Sequence, residues 1–278
     1  MADYLRIFAT QADYDAYIAS DYPKPNVSYI EATDETIFTN YEDAEAGSIL
    51  TSIAPEDWPS SVTTWQISSA VTEVIVPEGV TTIGRANQSN NPANIFANFT
   101  VLEKVTLPST LTTVNANNIN DGIFYGCTSL TSINLEDTSV TALCRGMFYG
   151  CTSLTEIALP STLTEIKDSS FGECTALTSV DIPSGVIGTI GVKAFIHCTS
   201  LTNVDIPSSV TLLGAQCFQQ CTALTSLTVR ATTPPTVGYN ALSGINQNVV
   251  IYVPAESVET YKAASGWSSY ASRIQAIP

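Results

Sequence analysis

Cys174-Thr-Ala-Leu-Thr-Ser-Val-Asp-Ile-Pro-Ser-Gly-Val-Ile-Gly-Thr-Ile-Gly-Val-Lys-Ala-Phe-Ile-His-Cys198 holds one full period of a repeat. An alternating segment from Leu177 to Ile182 is followed by Pro183, a second short apolar segment, and then Phe195-x-x-Cys198. The cysteine of this unit falls at Cys127, Cys151, Cys174, Cys198 and Cys221, in steps of 24, 23, 24 and 23 residues. Leu130, Leu154, Leu177, Leu201 and Leu224 keep the same beat three positions later.

A leucine-rich strand signature with a fixed period between about 20 and 29 predicts a leucine-rich-repeat solenoid, rich in β structure, with a parallel sheet along one face. Such a coil builds an extended lateral surface rather than a pocket. In each unit the first strand alternates, so that Leu177, Val180 and Ile182 turn inwards while Ser179 and Asp181 face out. Pro77, Pro108, Pro160, Pro183 and Pro207 end that strand. A second segment such as Val210-Thr-Leu-Leu213 covers the other side, and Phe124, Phe148, Phe171, Phe195 and Phe218 form an internal aromatic spine.

Each period leaves apolar surface open above and below, so the stack requires caps. Residues 58–229 carry the repeats and residues 230–278 a C-terminal cap, with a final strand at 249–253, a helix at 257–264, and Trp267, Tyr261 and Tyr270 covering the last rung. Residues 1–57 do not share the repeat and form a small α+β module. There, Thr10 caps a helix over Gln11–Ser20, and Val27–Ile30 and Thr36–Phe38 are strands around a turn at Glu31–Glu35. Acidic residues 41–47 read as a linker. Insertions at Arg85–Ala93 and Asn115–Gly122 stretch the first two repeats and should emerge as loops on one face.

The chain has 278 residues and a net charge of −16. Residues 1–60 hold 12 of the 26 acids and only two bases, Arg6 and Lys24. This balance excludes non-specific binding to nucleic acid or anionic lipid, both of which need basic surface. The first residues lack a basic n-region and an apolar h-region, so no signal peptide is expected, and no apolar run reaches a membrane span. Five of the seven cysteines belong to the repeat. Stacked in register they point the same way, whereas a disulfide needs a dihedral near 90°. A reduced, packed ladder is expected, with Cys144 and Cys217 as local core fillers.

Candidate chemistry is sparse. His197 precedes Cys198, but it stands where other repeats have Gly126, Gly150, Glu173 and Gln220, so an exposed, idle histidine is expected rather than a nucleophile pair. Zinc and EF-hand spacings do not occur. No catalytic residue, metal or cofactor is assigned. The outward strand row carries the partner-binding candidates Asn134, Glu156, Ser179, Asp181, Asn203 and Asp205. Asp181 and Asp205 should stack about 5 Å apart, close to the carboxylate gap of a retaining glycosidase. A flat sheet face excludes no water, which makes a glycan hydrolase the remote alternative.

The units from Leu102 to Val229 resemble the BspA-like leucine-rich repeats of Bacteroides-type bacteria, with the pattern Leu-x-x-Ile-x-Leu-Pro…Val-x-x-Ile…Ala-Phe-x-x-Cys-x-x-Leu. Residues 251–274 are similar to the closing segment of such proteins. The resemblance implies a surface-exposed adhesin that binds a protein or glycan on a host or neighbouring cell, with no catalytic residues. The opening, Phe8-Ala-Thr-Gln-Ala-Asp-Tyr-Asp-Ala-Tyr17, looks more like structural proteins of phages and prophages. That second resemblance implies a tail or head component of a virion, attached to a larger particle through residues 1–57.

Overall fold

The structure, a computed structural model, describes residues 4–6, 27–28, 30–33, 36–39, 72–76, 81–83, 96–116 and 122–278. In chain order its first strands are β1 (Tyr4–Arg6), β2 (Val27–Ser28), β3 (Ile30–Thr33), β4 (Thr36–Thr39), β5 (Glu73–Ile75), β6 (Thr82–Ile83), β7 (Lys104–Thr106), β8 (Thr113–Val114) and β9 (Ser132–Ile133). There follow β10 (Ala142–Leu143), β11 (Glu165–Ile166), β12 (Ser179–Asp181), β13 (Gly188–Ile190), β14 (Asn203–Ile206), β15 (Val210–Leu213), β16 (Ser226–Val229), β17 (Thr236–Val237), β18 (Val250–Val253) and β19 (Ile274–Ala276).

Parallel pairing from rung to rung makes two rows. The first-strand row comprises β2-β1-β5-β7-β9 and then β12-β14-β16-β18-β19. The second-segment row comprises β6-β8 and then β10-β11-β13-β15-β17. Near the start, β1 was not anticipated; it pairs in parallel with β5 and carries the row beyond the repeats. β3 and β4 form an antiparallel hairpin with Thr33 opposite Thr36, so its turn is tighter than Glu31–Glu35. The expected helix at 11–20 and the loop at 85–93 lie outside the described residues, as does most of the second insertion.

The first-strand row is interrupted. The stretch 154–160 takes no strand, although Thr155 still accepts the Thr178 N–H at 2.9 Å. The cause lies one rung earlier, where Leu135–Asp137 forms a short 3-10 turn in place of the usual Leu-Pro corner. Asn134 leaves the extended region there (φ −90, ψ 55), and its side-chain amide does the work of a strand peptide. Its Oδ1 accepts the Leu107 N–H at 2.7 Å and its Nδ2 donates to the Leu107 carbonyl at 3.1 Å.

The core is one continuous column. Phe96 joins the spine ahead of Phe124, Phe148, Phe171, Phe195 and Phe218, with successive rings nearly parallel. Each spine residue from Phe124 to Phe218 donates its N–H to a carbonyl on the next rung, as from Phe195 to Cys217 at 2.8 Å. From Phe124 to Phe195 the spine residue's own carbonyl also accepts a thiol from that rung: Cys151 bonds Phe124 at 3.2 Å, Cys174 bonds Phe148 at 3.1 Å, Cys198 bonds Phe171 at 3.1 Å and Cys221 bonds Phe195 at 3.2 Å. The repeated cysteine is thus a small apolar filler that also satisfies a buried carbonyl. All seven cysteines are buried and unbridged.

The C-terminal segment follows the last repeat. Helix α1 (Val258–Ala263) follows a 3-10 turn at Ala255–Ser257. Tyr261 and Trp267 are fully buried and meet edge to face at 5.2 Å. Their polar ends reach carbonyls the coil leaves open: Tyr261 donates to Ala231 at 2.7 Å, Trp267 to Pro235 at 2.8 Å, and the half-buried Tyr270 to Leu242 at 2.8 Å.

Candidate functional site

Strand pairing in the second half of the first-strand row is in strict register. Ser179, Asn203 and Ser226 align, as do Asp181, Asp205 and Thr228. Because alternate side chains point to opposite faces, Val180, Val204 and Leu227 are buried between them. The cap then lengthens the row. Thr228 is opposite Tyr252, and Tyr252 is opposite Gln275 on β19. Five rungs therefore present one column running Asp181, Asp205, Thr228, Tyr252 and Gln275. The match of Val250-Ile-Tyr-Val-Pro254 to Asn203-Val-Asp-Ile-Pro207 was the signal for this extension.

Four of the six candidates share this surface: Ser179, Asp181, Asn203 and Asp205. The other two do not. Glu156 is exposed, but it lies on the strandless stretch and so is not held in the row. Asn134 is committed to Leu107, and its Nδ2 also reaches Asp137 at 3.1 Å.

Asp205 has a partner that sequence reasoning missed. Arg230, at the corner position that Pro183 and Pro207 hold in earlier rungs, reaches back to it, and Arg230 Nε lies 2.8 Å from Oδ1 and 3.0 Å from Oδ2. The guanidinium terminus completes the fork, and this contact raises the pKa of Arg230. The stacked carboxylates expected at Asp181 and Asp205 are thus one exposed carboxylate beside a fork-paired one. Pair geometry of this kind fixes side-chain direction more than it adds stability on an exposed surface.

His197 is not idle. Its Nδ1 lies 2.6 Å from Glu173 Oε1, and the same oxygen accepts a longer bond from the Tyr149 hydroxyl at 3.4 Å. Cys198 faces away into the core, so the two residues make no nucleophile pair. Burial pushes the thiols of Cys127, Cys144, Cys174 and Cys221 up to about 12, and those of Cys151, Cys198 and Cys217 well above the ordinary value. Thiols of this kind are poor nucleophiles at neutral pH. No group of three or more His, Cys, Asp or Glu side chains suited to a metal occurs among the described residues.

Residues 117–250 match the BspA type leucine rich repeat region in 6 copies. The fold is a leucine-rich-repeat solenoid. The solenoid is similar to a leucine-rich repeat protein from Bacteroides ovatus, at 26% identity over 69% of this chain and 55% of that one, with a TM-score of 0.46. It is also similar to a leucine rich cell surface protein from Faecalibacterium prausnitzii, at 24% identity over 59% of this chain and 49% of that one, with a TM-score of 0.43. A leucine-rich repeat protein of T. pallidum shows 20% identity over 72% and 82% of the two chains, with a TM-score of 0.38. The solenoid spans about half the length of the first two of these proteins. No curated protein matches it. Among the described residues no helix is long and apolar enough to cross a membrane.

Proposed function

We propose that this protein is a non-enzymatic recognition module that binds a protein or glycan on a cell surface through the first-strand face. The observation that carries this reading is the in-register polar column from Asp181 to Gln275, flanked by Ser179, Asn203 and Ser226. It is broad, shallow and held by a rigid core. A surface of this kind suits an extended partner and offers no enclosure for a reaction. Its polarity favours hydrogen bonds over an apolar anchor, so single-site affinity is modest and strong attachment depends on displaying several copies.

The test is binding of the labelled protein to a panel of immobilised matrix proteins and bacterial polysaccharides. Asp181→Lys together with Asn203→Lys should reduce capture at least about tenfold, since the first removes a charged acceptor and the second a neutral amide that both donates and accepts. Capture that survives this pair but disappears when residues 1–57 are removed would place binding at the N-terminus and leave the solenoid as a spacer.

A further inference from the structure

A second polar cluster lies on the turn that follows the Phe spine, one corner of the coil away from the strand face. In each repeat the residue two positions after the spine Phe has a left-handed backbone: Asn98, Gly126, Gly150, Glu173, His197 and Gln220 have φ between 60 and 76 except His197, at 58. Their N–H groups bond from rung to rung, as from Gly150 to Gly172 at 2.8 Å and from His197 to Gln219 at 2.8 Å. The column is therefore rigid, and what differs along it is the side chains.

Gly126 and Gly150 leave two consecutive rungs bare. Asn98 leans over Gly126, where an added Cβ would stand 2.5 Å from Asn98 Oδ1. At Gly150 an added Cβ would meet only the Gly126 backbone, in ordinary contact at 3.7 Å, so the two bare rungs leave a shallow notch. One wall of this notch is the stacked pair Tyr125 and Tyr149, with centroids 5.2 Å apart and rings tilted by 7°. Its far end is the Glu173–His197 pair, whose side chains are 35% and 40% exposed.

This end presents two polar groups to a ligand. Glu173 Oε1 is used by His197 Nδ1 and Tyr149, which leaves Oε2 as a free acceptor. His197 Nε2, the other ring nitrogen, donates or accepts according to the tautomer. The site thus offers a carboxylate acceptor and an imidazole nitrogen beside aromatic edges, and hydroxyl groups, which both donate and accept, answer both. Phosphate and carboxylate bring only acceptors, and they meet both Glu173 and the net charge of −16. A cationic side chain gains little at a half-exposed site once its hydration is lost, whereas neutral hydroxyls carry no such cost.

We propose that Tyr125, Tyr149, Gly150, Glu173 and His197 form a separate site for one neutral sugar ring, hexose or N-acetylhexosamine. The ring lies over Gly150 with its C–H groups against the tyrosines and vicinal hydroxyls on Glu173 and His197. This site does not depend on the strand-face reading.

Ligand-observed NMR titration of the full chain with glucose, galactose, mannose and N-acetylglucosamine tests it. At least one should give a saturable signal, weakened about tenfold or more by Glu173→Gln, which removes the charged acceptor. Gly150→Asn should abolish the signal by filling the notch. Asparagine tolerates the left-handed backbone, and Asn98 already stands at the equivalent position, so this variant keeps the fold even where Glu173→Gln loosens it. Asp181→Lys on the strand face should leave the signal unchanged. No saturable signal with any of the four sugars, or a signal that persists in Gly150→Asn, overturns the proposal. So does a signal from N-acetyl-lysine methylamide in place of the sugars, which would assign the notch to a basic peptide.

Discussion

The solenoid is loosely stacked in its first half and tightly stacked in its second. From Phe96 to Phe171 the spine rings are 5.5, 5.6 and 5.4 Å apart; from Phe171 to Phe218 they are 5.1 and 5.2 Å apart. The first-strand row follows suit. β5, β7 and β9 have three, three and two residues and the next rung has none, whereas β14, β16 and β18 have four each. Neighbouring strands in a sheet sit near 4.8 Å, so the wider rungs hold fewer backbone bonds. The two halves share the same Phe and Cys columns, and what separates them is regularity. Leu102 to Leu130 is a step of 28 residues, and the rung after it loses its Leu-Pro corner, while later steps hold at 23 or 24. A spine sets the stacking, but only an even period lets the strands close on one another.

The largest expected effect tests what the halves have in common. The seven buried thiols span both. Each titrates near 9 when exposed and, for Cys127, Cys144, Cys174 and Cys221, near 12 when folded. Between those values the unfolded chain releases protons that the folded chain keeps. Stability is therefore fully present below about pH 9 and falls as pH rises towards 12, by up to about 1.4 kcal/mol per pH unit for each thiol. Guanidinium unfolding at pH 7, 9 and 10 should show a midpoint that drops steeply above 9, and a flat profile would mean the thiols are accessible.

Next comes the cap, on which the tight half leans. Trp267→Ala removes a fully buried ring and strands the Pro235 carbonyl, at a cost of about 3–5 kcal/mol. Native-state amide exchange should accelerate first in β16 and β18 and leave β7 and β9 little changed. Uniform acceleration would show that the two halves unfold as one unit.

A smaller effect should appear in the loose half. Asn134→Ala leaves the N–H and carbonyl of Leu107 without their partner, worth about 1–3 kcal/mol, and exchange should quicken around β7 and β9. A loss below about 0.5 kcal/mol would show that water replaces the amide at no cost. Smallest is Asp181→Lys, an exposed change in the tight half, which should alter stability by about 0.5 kcal/mol or less while weakening capture.

Most of the fold was legible because period and alternation are properties of one rung and need no neighbour. The inward Leu and Val positions, the Phe spine and the cysteine column all follow from spacing. The outward positions of Ser179, Asp181, Asn203 and Asp205 were legible for the same reason, since alternation is set within each strand. What escaped depends on pairs of rungs. Glu156 alternates like its counterparts, but its strand is lost because Asn134 turns away 22 residues earlier. The Asp205–Arg230 fork and the Glu173–His197 pair join residues 25 and 24 apart and leave no local signature. The Tyr of Phe-Tyr-Gly-Cys, repeated at 125 and 149, was a visible sign of a stacked column outside the core.

The one-way linkage of the spine has a consequence for the gene. From Phe124 to Phe195 each rung gives its Phe N–H to the rung ahead and takes that rung's thiol on the same residue's carbonyl, so these four junctions have the same two plugs. A duplicated copy of the DNA for residues 175–198 would supply a rung that fits between its neighbours, and a deletion of the same span would rejoin compatible ends. Unequal recombination can therefore lengthen or shorten the recognition face by whole rungs, which gives a lineage a way to change its reach without first inventing a new sequence.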